Sequence, residues 1–448
     1  MAAMPAVLWL RRDLRLADHP ALLDAAQHDG EVLACFVLDP RLIASAGPRR
    51  LRYLYGALAE VRQRLDGKLA LVAGRPEQCI PALAGAVDAT AVHISGDHTP
   101  FGRRRDNAVR AALGAVPLHA TGSPYLVSPG RVTKSDGTPY RVFTPFFRAW
   151  LQRGWRPPAR SGPDSARWID PTEVPGGTEI PATARDRAVG ETAALADWQE
   201  FCETSLPRYA AERDRPDRDA GSRMSAHLKF GSIHPRTMAA DLAAAVREGR
   251  DGPDAYLRQL AFRDFYAAVL HHWPDSAWQN WNRDFDRIEV DVDEAAIASF
   301  DRWKSGQTGF PIVDAGMREL AATGFMHNRV RMITASFLVK DLHLPWQWGA
   351  RWFLHQLTDG DLANNQHGWQ WAAGCGTDAA PYFRVFNPAL QGAKFDPRGD
   401  YVRRWVPELA GVDDVHAPGA TRPSTYPQPM LDHASERREA LRRYGRLG

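Results

Sequence analysis

The residues best suited to chemistry crowd into positions 359–378, "DGDLANNQHGWQWAAGCGTD", where acids, amides, indoles and glycines follow one another closely. If Asn365 and Trp369 are helical, their i,i+4 spacing puts an amide and an indole beside the same ligand. A capped polar loop with core tryptophans would have the same composition, since such residues mark a site only when they converge on one pocket. A second segment, "GSRMSAHLKFG" at 221–231, offers Ser222, Arg223 and Ser225 just before a helical run. Together with backbone N–H groups at a helix start they can hold a diphosphate, although an ordinary N-cap serine explains them equally. In "TGFMHNRVRMITASFLVKD", 323–341, Arg329 and Arg331 leave a helix on different sides. One is placed to meet a buried acid, the other to face solvent or a phosphate. Arg351 and Arg384 add positive charge. Arg384 lies among aromatics in "APYFRVFNP", a pattern shared by nucleic-acid binders and by ordinary core-and-rim sequence. The histidines show no H-x-x-x-H with an acid in place, and Cys35, Cys79, Cys202 and Cys375 show no C-x-x-C, so no metal site is expected and the thiols are read as free and buried.

Two kinds of element must position these residues. In the first third, apolar runs at 6–10, 32–38, 69–73, 91–95 and 116–120 read as strands, and amphipathic stretches at 17–28, 49–65, 77–85 and 103–113 as helices. This alternation predicts a doubly wound, mostly parallel α/β sheet covered on both faces. No G-x-G-x-x-G follows a strand, so a dinucleotide held in the Rossmann manner is not expected there. Residues 154–190 turn rich in Pro, Gly and Ser and read as a long surface linker. Beyond them, helical periodicity runs through 193–213, 235–247, 254–271, 300–304, 312–323 and 327–341, and a charged helix closes the chain after a Pro-rich stretch. The predicted organisation is an α/β domain at 1–130, an interdomain linker at 131–192 and an all-α domain at 193–448.

The 448 residues, 44% apolar and 24% charged, exclude disorder, collagen and a disulfide scaffold. No apolar run is long enough to span a bilayer, and the first nine residues lack a charged leader, so a soluble, cytoplasmic protein without membrane or metal is expected. The net charge of +3 says little about partners, because a near-neutral total can conceal a basic face. Fifteen tryptophans say more, since ten fall between 273 and 405.

These segments, with "VLWLRRDLRLADHPAL", "TGFPIVDAGMREL" and "NNQHGWQWAAGCGTDAAPYFRVFNP", resemble the photolyase/cryptochrome family, nearest the bacterial class I cyclobutane pyrimidine dimer photolyases, over about residues 6–409. The resemblance implies a helical domain holding FAD and a blue-light enzyme that flips a pyrimidine dimer out of DNA and splits it by electron transfer from reduced FAD. UV-damaged DNA is then the partner and a monomer the expected state. By position, Tyr209, Ser222, Arg223 and Ser225 match the FAD-phosphate segment. Arg331 and Asp359 match an ion pair beside the isoalloxazine, Asp361 an acid near the flavin and ribitol, and Asn365 the residue facing flavin N5. Asn328, Arg329, Met332 and Trp371 match the dimer pocket or its rim, and Arg384 and Lys394 phosphate-side positions.

Trp369 and Trp346 match the first two tryptophans of a photoreduction chain, but Val290 or Asp293 stands where relatives carry the third, which points to slower photoreduction or an exit through Trp348 or Trp352. Gln259 replaces a Glu that bonds the flipped bases, and Phe262 replaces a Trp that packs on them. Those departures favour a second reading, a cryptochrome-like photoreceptor with weak or no repair activity. A Gln at 259 is also found in (6-4) photolyases, yet those carry a His pair where Asn328 and Met332 stand. Gly102, where folate-binding relatives have Glu, and Asp97 point to a second antenna chromophore of deazaflavin type rather than methenyltetrahydrofolate.

Overall fold

The computed structural model describes residues 5–27, 30–182, 188–379, 381, 383–417 and 419–447. The end of the expected first helix, at His28, lies outside them. Strands form where the apolar runs predict them: β1 Ala6–Leu10, β2 Glu31–Leu38, β3 Leu69–Ala73, β4 Ala91–Ile94 and β5 Leu118–Ala120. All pairings are parallel, in the order β3-β2-β1-β4-β5, with Leu8 opposite Ala34 on one side and His93 on the other. The reason is visible in β1, whose five residues are all buried. Alternate side chains enter opposite layers: Leu8 and Leu10 pack with Ala57 and Leu58, while Val7 and Trp9 pack with Ile80 and Leu83. The strand order reverses between β1 and β4, the place where open α/β sheets leave a crevice at their carboxyl ends.

The stretch read as linker is more ordered than its Pro and Gly content suggests. A helix, Phe143–Arg153, buries Phe143, Phe146, Phe147 and Trp150. Further on, β6 (Arg167–Trp168) pairs in parallel with the first residues of β2, whose pairing with β3 begins only at Ala34. Two expected helices are each divided. Residues 193–213 become Glu191–Thr204, a 3₁₀ turn at Leu206–Arg208, and Tyr209–Glu212. Pro207 lacks the N–H that would continue the helix. Residues 327–341 become an α-helix, Asn328–Ser336, and a π-helical turn, Phe337–Asp341.

The chain forms two compact units, Met1–Pro207 with Ser222–Pro274, and Arg208–Gly221 with Asp275–Gly448. The first contains the sheet and the helices Pro235–Arg247 and Asp251–His272; the second is helical, around a core that includes Trp303, Phe337, Phe353 and Trp369. No described helix is long and apolar enough to cross a membrane, and among the described residues no group of three or more His, Cys, Asp or Glu is arranged to hold a metal ion. The four thiols are unpaired; Cys35 and Cys375 are buried, but Cys79 and Cys202 are only half-buried, against the expectation for all four.

Candidate functional site

In the second unit the densest sequence segment folds as a helix, Leu362–Ala373, rather than as a polar loop. Asp361 caps its start, accepting from Asn364 N at 3.1 Å and Asn364 Nδ2 at 2.8 Å, and Gly374 ends it with φ of 83°. Asn365 and Trp369 therefore do share a face. The Asn365 amide nitrogen donates to Ala350 O at 3.0 Å and to Gln366 Oε1 at 2.7 Å. A backbone carbonyl can only accept, so the orientation of the amide is fixed chemically, and Oδ1 is left with no donor among the described residues. Trp369 is buried against Phe353, with ring centroids 5.0 Å apart. Its ring lies directly on the helix Trp346–Gln356, where a Cβ at Gly349 would come within 2.1 Å of it.

Beside this helix, Arg331 makes a two-pronged pair with Asp359, Nη1 to Oδ1 at 3.3 Å and Nη2 to Oδ2 at 2.9 Å, while its Nε donates to Met326 O at 2.7 Å. The guanidinium plane is thus fixed by three bonds. Arg329 also meets an acid, Asp214, at 2.7 Å, and lies over the Phe395 ring at 4.4 Å. Both arginines are carboxylate-paired, so the sequence expectation of one paired and one solvent- or phosphate-facing arginine is replaced by two ion pairs. His327 caps their helix through Nδ1, and burial holds its pKa down at about 4 despite the opposing pull of Asp214. One turn along the same surface, exposed Asn328 touches Met332, Nδ2 to Sδ at 3.8 Å. Trp371 is half-buried on the edge of the core. Arg384 and Lys394 are exposed, lying over Phe386 at 5.3 Å and Phe395 at 5.2 Å, and buried Lys340 holds Arg384 in place through its carbonyl at 2.8 Å. Tyr209 is buried under the Arg213 guanidinium, at 5.6 Å.

Trp346 does not join Trp369 in ring contact among the described residues. It is buried, with Nε1 donating to Asn280 Oδ1 at 2.8 Å. Of the two positions aligned with a third tryptophan, Asp293 caps the helix Glu294–Lys304 through Ala296 N, and Val290 lines a cavity against Trp346.

In the first unit, Ser222, Arg223 and Ser225 lead into the helix Ser225–Phe230. Ser225 is not the cap: that position belongs to Met224, which has no side chain to bond the first-turn N–H groups. Arg223 adopts φ of 53°, rare for a side-chain-bearing residue. Ser222 Oγ lies 2.9 Å from the Tyr256 hydroxyl, tying this segment to the helix that carries Gln259 three residues on. Among the described residues the half-buried Gln259 amide bonds only its own helix, Nε2 to Ala255 O at 3.4 Å. Phe262 is stacked on Phe143 at 3.5 Å and 6°. Phe143, Tyr256, Asp214 and Trp303 escaped the sequence reading, because nothing in their local pattern separates them from ordinary core or surface residues.

Comparison with known proteins agrees with this layout. A sequence model described as "FAD binding domain of DNA photolyase" matches residues 256–446, and one described as "DNA photolyase" matches 6–164. The chain is 42% identical to a deoxyribodipyrimidine photo-lyase of Thermus thermophilus, over 98% of each chain. Among solved structures it is similar to a bacterial class III photolyase from Agrobacterium tumefaciens, with a TM-score of 0.91 and 35% identity over 100% of this chain and 98% of that one. It is also similar to a cryptochrome of Synechocystis, with a TM-score of 0.88 and 27% identity over 99% of each.

Proposed function

The chain belongs to the DNA photolyase family, and from that membership we propose how its residues serve an FAD-dependent, blue-light enzyme that repairs cyclobutane pyrimidine dimers in DNA. Bound FAD, reduced and excited by light, supplies the electron that opens the cyclobutane ring and receives it back. The observation that carries the reading is Asn365. Both of its N–H groups are engaged by Ala350 O and Gln366 Oε1, so what it offers is a neutral acceptor, Oδ1. That suits the protonated N5 of a reduced flavin and adds no negative charge beside it. The residues fit FAD elsewhere too. Arg331, locked by Asp359, and Asp361 are the residues that would hold the flavin and ribitol portion of FAD, the first supplying a fixed cation and the second a carboxylate. Ser222, Arg223 and Ser225, at a helix start without a side-chain cap, are the residues of the first unit that would take the FAD phosphates, and Tyr209 is the second unit's match to that segment.

For the substrate, Asn328, Arg329, Met332 and Trp371 line the pocket that receives the flipped dimer. Gln259, which among the described residues bonds only its own helix, can donate to a base carbonyl and accept from a ring N–H. Arg384 and Lys394 engage phosphates. The antenna is of deazaflavin type. Asp97, at the carboxyl end of β4, accepts from Thr99 N at 3.0 Å and pairs with Arg105 at 3.2 Å. Burial pushes its carboxyl up, but Arg105, Arg12 and Arg11 outweigh this and hold it at about 2. A Cβ on Gly102 would come within 2.1 Å of that carboxylate, so no folate-holding Glu fits at 102 while Asp97 keeps its place. The 1–130, 131–192 and 193–448 division, a monomeric state and a cytoplasmic location complete the proposal.

One observation favours the photoreceptor reading: the Phe262 ring is engaged by Phe143 rather than offered alone to a base. The deciding experiment reduces the flavin chemically, adds UV-irradiated oligo(dT), and follows thymine absorbance under blue light. Recovery is expected. No recovery, with equal binding to damaged and undamaged DNA, overturns repair in favour of the photoreceptor. A gain of repair in Q259E would place the deficit at that residue.

A further inference from the structure

The outer side of Trp346 is a poor place for an electron to enter. The cavity there, about 250 Å³, is lined by Val290, Phe285 and Tyr444, and no second indole borders it among the described residues. Tyr444 is no substitute: its hydroxyl donates to Ala373 O at 2.7 Å, a carbonyl that cannot take the proton, and burial pushes its phenol up.

Another row of rings begins at Trp369. Trp303 meets it at 6.1 Å and 69°. Trp303 stacks on Phe300 at 5.7 Å and 16°, and Phe300 meets Trp348 at 5.4 Å. Trp303 is fully buried, with Nε1 donating to Thr334 O at 3.1 Å, a carbonyl that cannot take its proton, so oxidation would leave it a cation. Trp348 is half-buried and lines a surface groove of about 450 Å³ with Phe300, Arg351, Trp352 and His355. The Lys304 ammonium lies 4.8 Å over Phe300 and 5.2 Å over Trp352 and pairs with Asp301 at 2.6 Å, so its charge does not separate the two indoles; the ring contact with Phe300 makes Trp348 the outer member. With Arg351 beside it, the groove attracts an anion.

We infer that Trp303 and Trp348 form an electron-entry branch that refills Trp369 from this groove, with a small thiolate as the donor. The inference rests on the FAD reading of the site. Trp369 yields one electron to light-excited oxidised FAD. Trp303 refills Trp369, and Trp348 refills Trp303 across Phe300. The Trp348 indole then releases its N–H proton to water. One thiolate returns an electron to Trp348, which recovers a proton from solvent; two turns deliver two electrons, which with one further solvent proton give the reduced flavin, and the two thiyl radicals couple to a disulfide.

The test uses the full FAD-loaded chain under blue light. Flavin reduction is followed with dithiothreitol, and tryptophanyl radicals by transient absorption. Oxidised indoles are mapped by mass spectrometry without thiol. W303F is expected to lose more flavin reduction than W346F. W348F is expected to lose the long-lived deprotonated radical, and indole oxidation in the unsubstituted protein to map to Trp348. Because buried Trp303 is a core residue, W348F is the deciding variant: a radical lifetime and an oxidation map unchanged from the parent would overturn the branch. Dimer repair by the chemically reduced parent enzyme is a separate readout. Its failure would overturn the repair reading while the radical measurements still report the route.

Discussion

At the scale of single residues, most of the polar chemistry is decided by which hydrogen-bonding groups are already engaged. Asn365 shows this for an amide, and His367, two residues on, for an imidazole. It is buried, with Nδ1 at 2.7 Å from Ala363 O and Nε2 at 3.1 Å from Ser276 Oγ, and burial lowers its pKa from 6.5 to about 4. The folded-state pKa is depressed, so this residue's contribution to stability is complete above 6.5 and is lost as pH falls toward 4. Linkage sets the scale at roughly 1.4 kcal/mol per unit of separation. Thermal unfolding at pH 7 and pH 5 should therefore show a smaller acid-induced drop in Tm for H367Q than for the parent. An equal drop in both would remove His367 as the cause.

At the scale of elements, the site depends on close helix packing. Gly349 lets the helix Trp346–Gln356 lie against the Trp369 ring, and a methyl there would sit 2.1 Å from it. G349A is expected to cost about 1–3 kcal/mol, as overpacked cores do, and to loosen FAD; unchanged urea unfolding and FAD content would contradict the packing argument. Elements of this kind were legible in the sequence to different degrees. The five main strands announced themselves as continuous apolar runs, and the Asn365 and Trp369 spacing was readable once helix was assumed. The helix Phe143–Arg153 and strand β6 were not, since Pro and Gly in their surroundings outweighed the buried aromatics and the vacant edge of β2 that order them. Nor was the Trp369–Trp303 contact legible, because it joins residues far apart in the chain through packing that no local period records. Carboxylate partners such as Asp214 for Arg329 are hidden for the same reason.

At the scale of the whole molecule, the near-balance of 56 basic and 53 acidic residues leaves DNA affinity to the placement of a few exposed cations. Arg384 and Lys394 stand free enough for phosphate, whereas Arg329 and Arg331 are already paired. Binding of oligonucleotide measured against salt should show the log–log slope fall by roughly 1 for each of R384A and K394A, uniformly across sequences; a change confined to damaged sites would assign them to base contact instead. The two compact units carry one more consequence. Each is assembled from two separate stretches of chain, and the first is not complete until residue 274 has been made. On a ribosome adding about 5–20 residues per second, the sheet therefore waits several seconds for its last helix to emerge, a window in which that unit's apolar faces are open to chaperones and proteases.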